Sequence, residues 1–375
     1  MPDQLRLGLA GLRRCAGFLG AVRALADTYN VRVEAICDPH EALLEQRRQE
    51  WGVEKAFCAY EPMLEQVDAV ILGTPMQCHA PQALLALDRH RHVLSEVTAA
   101  VTLDECRWLL QAAQRSQAMY MMAENYLYLK PNVLVKALAE AGLFGELYFA
   151  EGEYVHEIRD MHHDAEGRPT WRYYWQVGKR GCTYCTHSLA PCLKWLGERV
   201  DTVACFGTGQ RTDPEHPNDD TTLMLCRTGQ GKLVKIRLDM LSNRPHNMTY
   251  YSLQGTRGCY EAPRGMGDDH KVWFADRCAD KNEWRPLWEF EQEFLPGWYR
   301  ESEAEAKAAG HGGGDFFVVK DFLRAIREYR EPPINIYDAL DWTATGLVSE
   351  QSIAEGGRPL PVPDWRAHKG GEPQH

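Results

Sequence analysis

No stretch of this chain is apolar for the roughly 18 residues that a membrane-spanning helix requires, so membrane insertion is not expected. The start, Met1-Pro2-Asp3-Gln4, lacks the basic, apolar and small-residue regions of an export signal. Positive charge is in deficit: 42 Lys and Arg against 53 Asp and Glu leave a net charge of -11. Nucleic-acid phosphates would repel that balance, whereas a small neutral sugar would not feel it. No internal repeat is present. Cysteine is plentiful at 12 but scattered, and several lie in apolar runs as small hydrophobes. With no export signal, these features predict free thiols in a reducing cytoplasm.

What is present divides in two, as a length of 375 residues predicts. Strand candidates 5–11, 31–38, Val67 to Gly73, His92 to Glu96 and Ala118 to Ala123 alternate with helical stretches 18–29, 82–88 and 103–116. Such alternation predicts an α/β unit with a doubly wound parallel sheet, its ligand edge at the strand C-terminal ends. Asp38 ends the second strand. There a carboxylate can hold both hydroxyls of an adenosine ribose and repel a 2′-phosphate, or it can cap the turn before Pro39. The glycine loop is incomplete. In Gly11-Leu12-Arg13-Arg14-Cys15-Ala16 only the first glycine of a GxGxxG fingerprint stands. Arg13 occupies the position where backbone approaches a pyrophosphate, and an arginine there can pair with a diphosphate instead.

The second half reads as α+β, with a mostly antiparallel sheet open on one face. Its strand candidates are 147–156, 221–226, 232–239, 249–254 and 258–261, with helices at 316–329 and 337–352. The predicted units are 1–124, a nucleotide-binding domain, and 125–368, a substrate and oligomerisation domain. The last helix is placed back against the first unit, and 369–375 form a loose tail. Strand alternation sets Gly152, Tyr154 and His156 on one face. Tyr184 and His187, spaced i and i+3, share a side if a helix begins there. Neutral histidine is a ready acid or base near pH 7. Tyrosine becomes one when a cation lowers its pKa, and Arg172 is positioned to supply that cation or to grip a substrate oxygen. Trp171, Tyr173, Tyr174 and Trp175 suit either the apolar face of a sugar or a core. The stretch His311-Gly312-Gly313-Gly314-Asp315 fits a sugar- or phosphate-facing loop, or a turn with Asp315 as helix cap. Cys182 and Cys185 with His187 would bind metal only with further ligands, such as His162, His163 or Glu153. The spacing does not demand this, and no metal is expected.

Gly8-Leu9-Ala10-Gly11, Asp38-Pro39, Thr74-Pro75 with His79, Glu96 and Glu124-Asn125 together resemble the glucose–fructose oxidoreductase / inositol dehydrogenase / MocA family along nearly the whole chain. Within it the chain is most similar to the NAD-dependent glycosidases of the α-N-acetylgalactosaminidase type. The matches are Glu96-Val97-Thr98-Ala99-Ala100, Met121-Met122-Ala123-Glu124-Asn125, Tyr154-Val155-His156, Tyr184-Cys185-Thr186-His187, Gln254-Gly255-Thr256-Arg257-Gly258 and His311-Gly312-Gly313-Gly314-Asp315. Dehydrogenases of the family carry Glu-Lys-Pro at the fourth strand. Here Glu96-Val97-Thr98 has no lysine, which argues against a plain sugar dehydrogenase. Cys185 departs from the proline usual in the glycosidases.

The resemblance implies a Rossmann-type first domain, NAD as cofactor, a small carbohydrate or glycoside as substrate and a homo-oligomer joined through the open sheet face. It implies oxidation at sugar carbon 3, elimination across carbons 1 and 2, water addition and re-reduction. Tyr184 and His187 would then handle protons at carbons 2 and 3, and Tyr154 and His156 the leaving group or incoming water. Glu124, Arg172, Trp175 and His311 would bind the sugar. Gly8, Gly11, Arg13, Asp38, Thr74, Pro75, His79, Glu96 and Asn125 would hold the cofactor. Two other readings stay open: an NAD-linked sugar or inositol dehydrogenase, and a cofactor-free, metal-using hydrolase, isomerase or sugar-binding protein on the same scaffold.

Overall fold

The computed structural model describes residues 3–176, 179–216, 218–245, 247–307 and 309–367. The tail expected at 369–375 lies outside them. Six short strands form the first sheet: β1 Leu5–Ala10, β2 Val31–Cys37, β3 Lys55–Phe57, β4 Ala69–Leu72, β5 His92–Ser95 and β6 Tyr120–Met122. All pairings are parallel, in the order β3-β2-β1-β4-β5-β6. The central strands are apolar because helices cover both faces: every residue of β4 is buried. The covering helices include α1 Leu12–Ala24, α2 Glu41–Trp51, α3 Met76–Asp88 and α4 Leu103–Arg115.

Three sequence expectations shift here. Helix α1 starts at Leu12 rather than Phe18, because Leu12, Cys15, Phe18, Leu19 and Val22 form one buried stripe. The expected phosphate loop is therefore mostly the first turn of a helix. Helix α3 starts at Met76, ahead of an internal Pro81 that masks its periodicity in the sequence. Strand β3 was not expected; it is three residues long and has no fully buried position.

The second sheet has nine strands: β7 Leu147–Val155, β8 Val200–Gly207, β9 Thr221–Thr228, β10 Leu233–Asp239, β11 Asn247–Gly255, β12 Gly258–Glu261, β13 Lys271–Phe274, β14 Arg285–Pro286 and β15 Leu360–Pro361. Their order is β14-β13-β12-β11-β7-β10-β9-β8-β15. All pairs are antiparallel except β7 with β10. Strand β8 escapes sequence pattern because a register shift near Val200 breaks its alternation.

Helix α5 Lys130–Glu140 packs on α6 Thr186–Leu196, α7 Gly314–Glu328 packs on α1 of the first unit, and α6 together with α8 Ile336–Ala354 covers strands of this sheet. Helix α6 lies directly on β7. A Cβ at Gly152 would overlap the Ser188 carbonyl, so the glycine permits the helix to approach and brings the start of α6 beside Tyr154. Helix α8 reaches α4 and β6 of the first unit, where the Thr343 hydroxyl accepts the Ala99 N–H at 3.2 Å. No described helix is long and apolar enough to cross a membrane.

Candidate active site

The chain leaves the parallel sheet after β6, at Glu124, and a 3₁₀ turn, Asn125–Tyr128, carries it into α5. The start of α6 comes against this turn. Glu124 is fully buried, and its Oε1 lies 2.7 Å from His187 Nδ1 and accepts the Tyr126 N–H at 3.2 Å. A carboxylate ion accepts but does not donate, so Nδ1 carries the proton. Nε2 is left with the lone pair. The Tyr251 hydroxyl donates to the His187 carbonyl at 2.5 Å and anchors this first helical turn to β11.

Three tyrosines surround the imidazole. Tyr126 stacks on it at 4.2 Å between ring centroids, with Tyr154 at 5.2 Å and Tyr184 edge-on at 5.4 Å. The Tyr154 hydroxyl is 3.0 Å from His156 Nδ1. Burial pushes Tyr184 well above the usual phenol range, and the carboxylates of Glu96 and Glu124 add to this while Arg172 only partly opposes it. Burial does the same to Tyr154. Both stay protonated at neutral pH, so the expectation that Arg172 converts a tyrosine into a base is corrected. The tyrosines are O–H donors, and His187 Nε2 presents a lone pair among them. Arg172 is nonetheless near, coupled to Tyr184, Tyr154 and Arg13, with burial drawing its own pKa down. Its guanidinium sits over the Trp171 ring at 4.5 Å.

At the edge of the parallel sheet stands a second network that the sequence did not reveal. Asp315, in the first turn of α7, is completely buried. Its carboxylate accepts a bidentate pair from Arg14 at 2.8 and 2.9 Å and the Asn125 Nδ2–H at 2.8 Å, and it lies 3.1 Å from His311 Nδ1. Arg14 Nε also lies 2.6 Å from Glu96, and its guanidinium covers the Phe18 ring at 4.0 Å. Burial alone would raise the Asp315 pKa. The His311 and Arg14 contacts outweigh it and hold the group well below the carboxylate range. The Asp315 hydrogen bond in turn raises His311. A raised histidine contributes stability that is complete below its unfolded pKa of about 6.5 and is lost as pH rises through the folded value. The difference in thermal midpoint between wild type and His311→Ala is therefore expected to widen from about pH 8 to about pH 6. Melts across that interval check this, and a gap that narrows toward acid contradicts it.

The expected residues fall in different places. Asp315 is not a helix cap; Gly313 holds that position. Glu124 supports His187 through Oε1, and its buried Oε2 has no protein partner. Gly8 lies within β1 against Met63 and Val67, away from the glycine turn. His79 is buried, with its ring nitrogens 2.7 Å from the Thr98 carbonyl and 2.8 Å from the Thr74 carbonyl, so it ties the turns after β4 and β5 together. Thr74 donates its hydroxyl to Gln82, and Pro75 precedes α3. Trp175 shares the Arg172–Gln176 turn, with Lys179 Nζ 5.9 Å from its ring centroid, whereas Tyr173 turns toward His162 and His216. Cys182 and Cys185 are buried beneath α8, where Cys185 contacts the Trp342 carbonyl. Among the described residues they join no group with metal-ligand geometry.

Residues 5–124 match the oxidoreductase family with an NAD-binding Rossmann fold. Residues 128–370 match the C-terminal domain of glycosyl hydrolase 109. The α-N-acetylgalactosaminidase of Shewanella oneidensis is 26% identical over 403 residues, covering 97% of this chain and 85% of the relative. A glycosyl hydrolase family 109 protein of Shewanella pealeana is 26% identical over 412 residues, covering 99% and 88%. In fold, a levoglucosan dehydrogenase solved with NADH superposes at a TM-score of 0.79 and 19% identity, covering 96% of this chain and 100% of the other. An oxidoreductase domain protein from Kribbella flavida gives 0.80 at 18%, covering 96% and 99%.

The chain is thus an enzyme of the Gfo/Idh/MocA oxidoreductase class, with NAD as its cofactor. Within that class it belongs to glycosyl hydrolase family 109. Its activity is accordingly that of an NAD-dependent glycosidase or sugar dehydrogenase.

The residues at the sheet edge fit a dinucleotide. Gly11 has φ +83°, and a Cβ there would sit 2.5 Å from the Gly73 carbonyl. Only glycine forms this turn, which opens onto the N-terminus of α1, a favourable place for a diphosphate. Asp38 accepts the Leu12 N–H at 2.9 Å and the His40 N–H at 3.0 Å, so the turn-capping role is realised. Each carboxylate oxygen keeps a second lone pair for a ribose hydroxyl. Asn125 Oδ1 is buried with no protein partner, as expected of a group facing a bound polar ligand. Arg13 is exposed at the first turn of α1.

Proposed function

We propose that the chain is a redox-neutral glycoside hydrolase. The observation that carries this is the buried Glu124–His187 pair ringed by tyrosine hydroxyls, where no lysine follows Glu96. Gly11, Arg13, Asp38 and the turn at Thr74 and Pro75 would hold NAD, with Glu96 and Asn125 beside its reactive end. When bound, NAD supplies reversible removal of hydride from one sugar carbon, here carbon 3. The carbon-3 hydroxyl proton passes through the Tyr184 hydroxyl to water as the hydride leaves and returns the same way when the hydride comes back; the ketone formed meanwhile acidifies the proton on carbon 2. His187 Nε2 takes that proton, Glu124 stabilises the imidazolium formed, and the neutral Tyr184 hydroxyl donates a hydrogen bond to the carbon-3 oxygen. Electron flow from carbon 2 breaks the bond from carbon 1 to the glycosidic oxygen. The Tyr154–His156 pair protonates the departing oxygen and then deprotonates the water that adds to carbon 1. The His187 Nε2–H exchanges with solvent while water enters, and His187 then delivers a solvent-derived proton to carbon 2. Arg172 and Trp175 bind the sugar oxygens and ring face.

The NAD-loaded protein should release sugar from an α-N-acetylgalactosaminide, a probe suggested by its relative in Shewanella oneidensis. NADH should not accumulate over many turnovers. Stoichiometric NADH in solution for each sugar consumed would mean a dehydrogenase.

The outer face of the second sheet exposes Phe206, Leu223, Leu225 and Leu233. These form an apolar patch of the kind that marks an interface, and a second copy of the chain is its proposed occupant. Light scattering should give at least twice the 42.7 kDa of one chain. A monomer at micromolar concentration would contradict it.

A further inference from the structure

Away from this cluster, the loop following β7 meets the segment between β8 and β9. His162 and His216 come together there at 4.9 Å between ring centroids, both almost wholly buried, with Asp213 beside them. One nitrogen of each imidazole and one carboxylate oxygen all lie within 4.8 Å of one another. We propose that His162, Asp213 and His216 form a binding site for one divalent transition ion of the Zn²⁺ type.

The hydrogen bonds place a positive centre, a proton or a metal ion, at this point. His216 Nε2 is 3.0 Å from the Tyr173 carbonyl, which can only accept, so Nε2 carries a proton. In the neutral ring, Nδ1 then presents a lone pair. It faces Asp213 Oδ2 at 2.8 Å, an atom that also brings only lone pairs. A proton on Nδ1, donated to the carboxylate, satisfies this contact in the metal-free protein, and a bound cation would take that proton's place. His162 Nδ1 approaches the same Asp213 oxygen at 3.9 Å, and its Nε2 is buried without a protein partner.

The spacing and chemistry suit the ion. Ligands about 2.0–2.1 Å from a tetrahedral Zn²⁺ stand about 3.3 Å apart, between the two distances observed to Asp213 Oδ2. Two imidazoles and a carboxylate leave a fourth position for water. A ligating histidine commonly donates its other N–H to a backbone carbonyl, as His216 does to Tyr173. That carbonyl belongs to the residue after Arg172. The ion therefore fastens two long connections to the turn that carries Arg172 and Trp175. Its role is that of a clamp beside the sugar site, and this positional role, unlike the binding itself, rests on the proposed function.

The test uses untagged protein, stripped with a chelator and titrated with Zn²⁺ against a competing fluorescent chelator, then with Co²⁺ followed by visible absorption. One ion per chain is expected, with a Co²⁺ spectrum of nitrogen and oxygen ligation and no thiolate charge-transfer band. Wild type should also gain thermal midpoint with Zn²⁺, a readout that depends on no variant. His162→Gln and Asp213→Asn should weaken binding by at least the roughly 10–100-fold that loss of an outer partner costs a metal site, with bound NAD unchanged. Three results would overturn the proposal: no Zn²⁺ or Co²⁺ binding by wild type at micromolar concentration, equal affinity in the variants, or a thiolate band assigning the ion to cysteines. A site that binds Zn²⁺ as proposed while no glycoside is cleaved would overturn the hydrolase reading alone.

Discussion

Replacing His187 by alanine is expected to abolish exchange of the carbon-2 hydrogen of the sugar with solvent while leaving NAD bound. Nδ1 of His187 is committed to Glu124 at 2.7 Å, which fixes the tautomer and leaves Nε2 as a base of the cluster. The flanking tyrosines cannot replace it, because burial raises Tyr154 and Tyr184 and keeps them protonated. A positioned general base contributes typically about 10²–10⁴-fold, and exchange should fall by at least that. Glu124→Gln should give an intermediate loss, because the amide can hold the ring but cannot stabilise the imidazolium. NMR of a glycoside in deuterated water reads the exchange, and mass spectrometry of denatured protein reads the NAD. Normal exchange in the alanine variant would remove His187 from its role; loss of NAD would point to collapse of the site.

The second large effect concerns stability. Arg14→Met leaves Asp315, a fully buried carboxylate, with only Asn125 and the partly exposed His311 as partners. Removing one partner of a buried ion pair costs about 3–5 kcal/mol. The residual contacts place the expected loss toward the lower end of that range. The pH dependence carries the sign. A carboxylate with a depressed folded pKa contributes stability above its unfolded value of about 3.9, and that stability is lost as pH falls through the folded one. The gap between wild type and variant should therefore narrow in acid, where the variant's carboxyl can neutralise. Urea unfolding near neutral pH and near pH 4 measures it. A gap under about 1 kcal/mol at neutral pH would place this pair with ordinary surface ion pairs.

The parallel sheet was legible because its central strands are buried on both faces and read as uniform apolar runs, as 69–72 shows. Tyr154 and His156 were legible as a pair because strand alternation places them on one face. Tyr184 and His187 were legible because helical spacing does the same. What sequence could not show is the long-range pairing. Glu124 finds His187 across 63 positions, and Arg14 finds Asp315 across 301. No local pattern encodes either contact. Asp315 read either as part of a sugar- or phosphate-facing loop or as a helix cap, and Arg14 was overshadowed by Arg13, which stands where the fingerprint expects glycine. The one available signal was the set of glycines before Asp315, more than a single turn requires. Likewise His162 lies on one connection and Asp213 and His216 on another, and only the fold brings the two together.

The central claim is that cleavage passes through transient acidification of the carbon-2 proton. The most direct measurement is hydrolysis of an α-N-acetylgalactosaminide by the NAD-loaded enzyme in deuterated water, with the released sugar analysed by NMR. The account predicts deuterium at carbon 2 of every product molecule and no net NADH. Released sugar that keeps its original hydrogen at carbon 2 would contradict it.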